Sequence, residues 1–215
     1  MVINMVKRKG YIIERIADMD NLLQADKDAQ ANKKINRHIR RHNLHQKEHL
    51  ELLQYWILHP NLLPDIKYHK RQLDNDQGKV RTLGITDYFP WHILERAIIN
   101  IIGPDIIKSL ITDSCSCIPG KGLHFGVKRL KSMLRRYPEC KWFWKTDYKK
   151  FYESLPHQVV EMSLRRKYKD ERLFILLNKT ILSYDSGNII QDLINKENEM
   201  LKRYYHRRMC ITVNR

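Results

Sequence analysis

Trp91, Leu94, Ile98, Ile101 and Ile102 recur at helical spacing. Water does not tolerate so wide an apolar stripe, so the spacing predicts a core helix with the rest of the chain built around it. Glu95 and Arg96 fall off the stripe and face water in this reading. Gly103-Pro104 is expected to end the helix, because proline lacks the donor that the next turn needs.

Other segments read as partners for that helix. Ile12, Ile16, Met19 and Leu23 predict a helix over 12–30. A more basic helix is predicted over 33–58, with Ile35, Ile39, Leu53 and Ile57 on its apolar side. Pro60 and Pro64 interrupt this pattern. A strand over Ile66-Lys67-Tyr68-His69, the turn chemistry of Asp74-Asn75-Asp76-Gln77-Gly78 and a returning strand over 79–85 predict a β-hairpin. Pro119-Gly120-Lys121-Gly122 reads as a tight basic turn. It leads into a helix with Leu123, Val127, Leu130 and Leu134 inward and Lys128, Arg129, Lys131, Arg135 and Arg136 on the other faces. Pro138 closes that helix. Lys141 to Asp147, with Trp142, Phe143 and Trp144, reads as a short buried strand ending in a carboxylate. Helices are expected near 157–168 and 170–183, stopped by Asp185-Ser186-Gly187.

The charge points to a partner class. Against 24 acidic side chains stand 40 Lys and Arg, a formal net charge of +16 over 215 residues. Such a surplus suggests a polyanion, since each cation set beside a phosphate releases a condensed counterion. No apolar run reaches the ~18 residues that span a bilayer. No signal-peptide core occurs over Met1 to Lys9, so the expected location is the cytoplasm, with no membrane partner. Cys115, Cys117, Cys140 and Cys210 match neither a zinc spacing nor a disulfide framework.

The site candidates follow from residue type and spacing. Asp147, at a strand end, sits where two-metal enzymes place a carboxylate, although an ordinary aspartate entering a turn has the same signature. Lys79 and Arg81 share one face of a strand by the period-two rule. His38, His42, His45 and His49 are spaced four, three and four apart, which suits a metal strip, an RNA-facing surface or a solvated face. Arg37, Arg40 and Arg41 beside them would repel a cation and favour RNA. Gly120-Lys121-Gly122 lacks the spacing of a nucleotide-hydrolysing loop, yet its amides and Lys121 can meet a strand phosphate, as can Lys128 and Arg129 nearby. Trp142, Phe143 and Trp144 read as core or as a base-stacking platform.

Asp147-Tyr148-Lys149-Lys150-Phe151-Tyr152, followed by Ser154-Leu155-Pro156-His157, resembles the first palm motif of reverse transcriptases. Lys79-Val80-Arg81-Thr82-Leu83 resembles that family's triphosphate-gripping fingers strand. Ile102-Gly103-Pro104, Asp113-Ser114 and Gly120-Lys121-Gly122-Leu123-His124 resemble its template-side block. Met19-Asp20-Asn21-Leu22-Leu23 with Ala25 looks like the amino-terminal extension of retron, group II intron and diversity-generating retroelement enzymes. The resemblance spans about 12–187, in family order, and looks closest to the bacterial retroelement type.

The resemblance implies an RNA-directed DNA polymerase using an RNA template, a DNA or RNA primer, dNTP and Mg2+. Asp147 and the Tyr148 backbone carbonyl would be metal ligands, and Lys79, Arg81 and Tyr152 would hold the nucleotide. It also implies an α+β fold dominated by helices. Residues 1–110 would form an amino-terminal extension and fingers with the hairpin, 111–187 the remaining fingers and the first part of a palm. Residues 188–215 form a basic tail unlike the family. His92 stands where the family often has an arginine. The family's Gly-Leu-Pro-x-Gly block and Tyr-x-Asp-Asp turn do not occur in the sequence. The expectation is therefore a fragment cut before the second catalytic motif and inactive alone, the alternative being a non-catalytic basic RNA-binding module.

Overall fold

The computed structural model describes residues 7–31, 33, 36–74, 80–142, 144–148, 151 and 155–182. The chain divides into two compact units, one formed by 1–100 with 150–215 and the other by 101–149. The fold is mainly helical with one small antiparallel sheet, an α+β composition. Among the described residues that two-stranded sheet is the only one, and it includes no part of 141–148. Asp185-Ser186-Gly187 and the 188–215 tail lie outside the described residues.

The first unit opens with α1 (Ile12–Ile16) and α2 (Met19–Gln30). The sequence pattern reads as one helix, but Asp18 breaks it by capping α2 with its side chain, accepting from the Asp20 N–H at 3.0 Å. The break changes which residues face inward. Leu22, Ala25 and Ala29 are buried, while Leu23 is exposed. Ile12, Ile13 and Ile16 are almost fully buried, worth roughly 1.5–3 kcal/mol each. Asp170, distant in sequence, supplies the missing cap of α1: its Oδ2 accepts from the N–H of Ile12 at 2.9 Å and of Ile13 at 3.1 Å.

The next predicted helix is also two, α3 (Arg37–Leu44) and α4 (Gln46–Leu58), parted at His45 with its non-helical φ of −127°. Ile39, Leu53 and Ile57 are buried as the periodicity requires, whereas Ile35 lies outside the described residues. The hairpin forms, but its first strand lies beyond the expected Ile66–His69 and takes in Asp74: β1 (His69–Asp74) pairs with β2 (Val80–Ile85), with Leu73 opposite Arg81 and His69 opposite Ile85. A wide turn, Tyr88–His92, enters α5 (Ile93–Ser109). Trp91, Leu94, Ile98 and Ile102 are buried as expected, whereas Ile101 is only half-buried. The helix does not stop at Gly103-Pro104, and Pro104 lies inside it. Proline removes one donor and crowds the preceding turn, which weakens a helix without necessarily ending it.

Two further helices follow near their expected positions, α7 (His157–Arg165) and α8 (Glu171–Leu182). Tyr168, Leu173, Phe174 and Leu176 are buried. Arg165 links α7 to α8 by bonding Glu161 and Glu171, each at 2.7 Å, while stacking 4.0 Å above the Phe174 ring. Lys179 of α8 donates to the Asn61 and Leu63 carbonyls at 3.1 and 2.6 Å. Lys9 bridges to the Lys167–Lys169 backbone, with N–H···O bonds of 2.8 and 2.9 Å. These long-range ties join the two sequence segments of the first unit.

Candidate nucleic-acid interface

In the second unit the basic turn forms as its residues require. Gly120 takes φ of +75°, a conformation that glycine adopts without steric cost, and the Lys121 N–H donates back to Ile118 O at 3.0 Å. The turn delivers Gly122 to the start of α6 (Leu123–Arg136). Lys121 does not project into solvent alone. Its Nζ donates to Thr112 O at 2.9 Å and lies 5.3 Å from the Phe125 ring centroid. Arg129 donates to Asp113 Oδ1 at 2.5 Å, which ties the preceding loop to the helix. That hydrogen bond, ahead of a small opposing cost of desolvation, holds the Asp113 carboxyl below its ordinary range. Lys121 and Arg129 thus shape the loop, while Lys128, Lys131, Arg135 and Arg136 are exposed.

The apolar side of α6 differs from expectation. Leu123, Val127, Leu130 and Leu134 are all exposed rather than inward. At about 100° per residue they span an arc of roughly 60°, and Lys128, Lys131 and Arg135 fill an adjoining arc of similar width. No carboxylate interrupts Leu123 to Arg136. The periodicity is that of an amphipathic helix, but periodicity cannot show whether an apolar face is covered.

The segment leading to Asp147 also departs from its reading. Lys141, Trp142 and 144–148 form no strand, and Trp142 and Trp144 are 93% and 89% exposed. Trp142 and Trp144, read as part of a core strand, therefore stand in water, and no second strand pairs with this segment among the described residues. Asp147 is exposed, and so is Tyr148. Phe143 and Tyr152 lie outside the described residues. Among the described residues no three His, Cys, Asp or Glu side chains converge to hold a metal. One solvated carboxylate does not suit a two-ion centre, so the described residues do not fit paired Mg2+ at Asp147.

In the first unit, Arg37, Arg40 and Arg41 project from one face of α3, within an arc of roughly 100°. All three are exposed, while Ile39 and His42 on the other side are buried. The Asn36 side chain caps the helix by accepting from the His38 N–H at 2.8 Å. Arg81 lies on β2, with its backbone paired to Leu73. Lys79 lies outside the described residues.

The histidine series does not act as one stripe, because the break at His45 separates its members. His45 contacts Glu48 at 3.2 Å on the surface. His42 is buried, with Nε2 3.3 Å from Asp26 Oδ2 but angled off hydrogen-bond geometry. Its Nδ1 lies 2.9 Å from His49 Nδ1. His49 stacks on Phe89 with centroids 4.2 Å apart. Burial, reinforced by His42 and His45, holds the His49 ring below its ordinary pKa against the weaker pull of Glu48.

Asp26, absent from the sequence reading, is the polar centre of this unit. It is fully buried and accepts from Gln30 at 3.0 Å, from Gln46 at 2.5 Å and from the Tyr88 hydroxyl. Burial alone would raise its pKa. His42 and the donors Tyr88, Gln30 and Gln46 outweigh that and hold the carboxyl well below the usual range. Burial, with Asp26 opposite, pushes the Tyr88 hydroxyl up. The available sequence signal was the position of Asp26 on the buried stripe of Leu22, Ala25 and Ala29.

No helix among the described residues is long and apolar enough to cross a membrane. No protein-family model matches the chain, and no curated protein is similar to it.

Proposed function

We propose that this chain is an RNA-binding portion of a reverse-transcriptase-like polymerase. Its parent reaction is RNA-templated DNA synthesis by two-metal nucleotidyl transfer, and the 215-residue chain binds without extending a primer. The observation that carries the binding is the run of exposed cations on α6, uninterrupted by any carboxylate. The arginine face of α3 is a second surface of the same chemistry. The polymerase assignment rests on the ordered resemblance from Lys79 through Asp147, with an RNA template, a primer and dNTP as partners. Magnesium would belong to the parent reaction, since the described residues of this chain do not fit a two-ion centre. The chain lacks the Tyr-x-Asp-Asp turn that the family uses for this, so binding and catalysis are expected to separate.

Fluorescence anisotropy with a labelled single-stranded oligouridylate tests the binding. Affinity should fall with salt by about 0.7 log units per phosphate contact per log unit of salt. Substituting Lys128, Lys131 and Arg135 together by alanine should flatten the slope by about 2. A slope unchanged by that triple substitution removes α6 from the interface. Primer extension by the purified chain with magnesium and dNTP would overturn the claim that it binds without polymerising.

The exposure of Asp147 outside any described strand favours a second reading, a non-catalytic RNA-binding module. In that reading Asp147→Ala leaves RNA affinity unchanged and abolishes no activity, even when a protein segment bearing a Tyr-x-Asp-Asp turn is supplied in trans. Extension restored by that segment and lost with Asp147→Ala would favour the polymerase.

A further inference from the structure

A cleft of about 470 Å3 opens in the first unit, between the start of α3, the base of the hairpin and the turn into α5. Its volume falls within the ~300–1,000 Å3 of small-molecule sites. Lys33, His38, His69 and His92 are scattered along the chain. The fold sets them on one cleft wall.

The wall has the chemistry of a nucleotide seat. Lys33 and His38 flank the amino-terminal end of α3, where the helix dipole favours an anion although Asn36 already takes the His38 N–H. Arg37, Arg40 and Arg41 on the same helix add to the positive field. Ile85 and Tyr88 offer an apolar surface for a base. His69 and His92 add rings with both donor and acceptor capacity, and Asp87, 3.9 Å from His69, adds an acceptor for a sugar hydroxyl or an exocyclic amine. Asp87 limits the positive charge at the cleft, which suits one phosphate better than a triphosphate.

We infer that this cleft binds a single nucleotide, its phosphate toward Lys33 and His38 and its base against Ile85 and Tyr88. The nucleotide is either a free nucleoside monophosphate or one unit of a single-stranded RNA, and only the RNA source rests on the RNA-binding function proposed above.

The test uses the full chain, titrated calorimetrically with uridine monophosphate, with inorganic phosphate and with a 12-residue oligouridylate. Saturable one-to-one binding of the monophosphate is expected. Lys33→Ala with His38→Ala should weaken it at least tenfold, and Thr86→Trp, which fills the cleft, should abolish it. Both variants must keep the wild-type circular dichroism and melting temperature for this reading. Inorganic phosphate should bind at least tenfold more weakly, and equal affinity would overturn the base seat. If the monophosphate fails to bind but oligouridylate affinity falls with the same variants, the cleft takes a nucleotide within a chain. Should neither probe respond to Lys33, His38 and Thr86 while oligouridylate still binds, the cleft inference fails and the RNA-binding reading survives. Monophosphate binding without oligouridylate binding would sink the RNA reading and leave the cleft standing.

Discussion

Asp26→Ala is the substitution most expected to unsettle the first unit. The wild-type carboxylate is completely buried and takes hydrogen bonds from Gln30, Gln46 and Tyr88. Gln30 can recover, because its amide already reaches Asn43 at 2.9 Å. Gln46, half-buried, loses about 1 kcal/mol. The buried Tyr88 hydroxyl loses about 1–2 kcal/mol, because it keeps the residue-26 backbone carbonyl, 3.3 Å away, as an acceptor. The sum is about 2–3 kcal/mol. For a chain of this size that corresponds to a melting temperature lower by roughly 8 °C. The charge itself is tested by Asp26→Asn as a function of pH. The folded-state pKa of Asp26 lies below its unfolded value, so its stabilisation is complete above about pH 4 and lost as pH falls further. The difference between wild type and Asp26→Asn, from urea unfolding at pH 7, 5, 4 and 3, should therefore shrink below pH 4. Melting of Asp26→Ala within about 2 °C of wild type, or a difference independent of pH, would refute the argued role of this carboxylate.

Asp170→Ala should cost about 1–2 kcal/mol, since it uncaps α1, and the urea midpoint should fall with an unchanged slope. Gly120→Ala should cost about 1–2 kcal/mol from backbone strain alone, because a Cβ there meets nothing within 4 Å. Gly122→Ala, at an extended φ of −125° and equally open, should be close to neutral in the same unfolding assay. Trp142→Ala should change stability by less than about 0.5 kcal/mol; a loss of about 3–5 kcal/mol would show that the residue is core.

The sequence by itself determined the local elements. Helical spacing located the buried faces of α3, α4 and α5, and turn chemistry located the Gly120 turn and the returning strand β2, but not the span of β1, which runs over 69–74 rather than 66–69. Each depends on contacts between near neighbours, which periodicity records. It did not locate the breaks at Asp18 and His45. Both sit within continuous apolar periodicity, and a single side-chain cap or a turn of i→i−3 bonding was enough to break it. The charge surplus was legible, but not which cations remain at the surface. Lys121 and Arg129 are engaged by Thr112 and Asp113, partners that lie nine and sixteen residues away.

Burial and convergence were decided only by the tertiary structure. Leu123, Val127, Leu130 and Leu134 carry the pattern of a core face yet stand exposed, because a stripe records which residues could be buried together and not whether anything covers them. Trp142 and Trp144 illustrate the same limit for strands, since an apolar run becomes a core strand only when another strand accepts its hydrogen bonds. Conversely, Asp26 and Tyr88, 62 residues apart, and the cleft formed by Lys33, His38, His69 and His92 exist only because packing brings distant segments together. Periodicity encodes the neighbours of a residue along the chain; burial, pKa and binding depend on neighbours in space, and those were fixed only when the helices closed around Asp26.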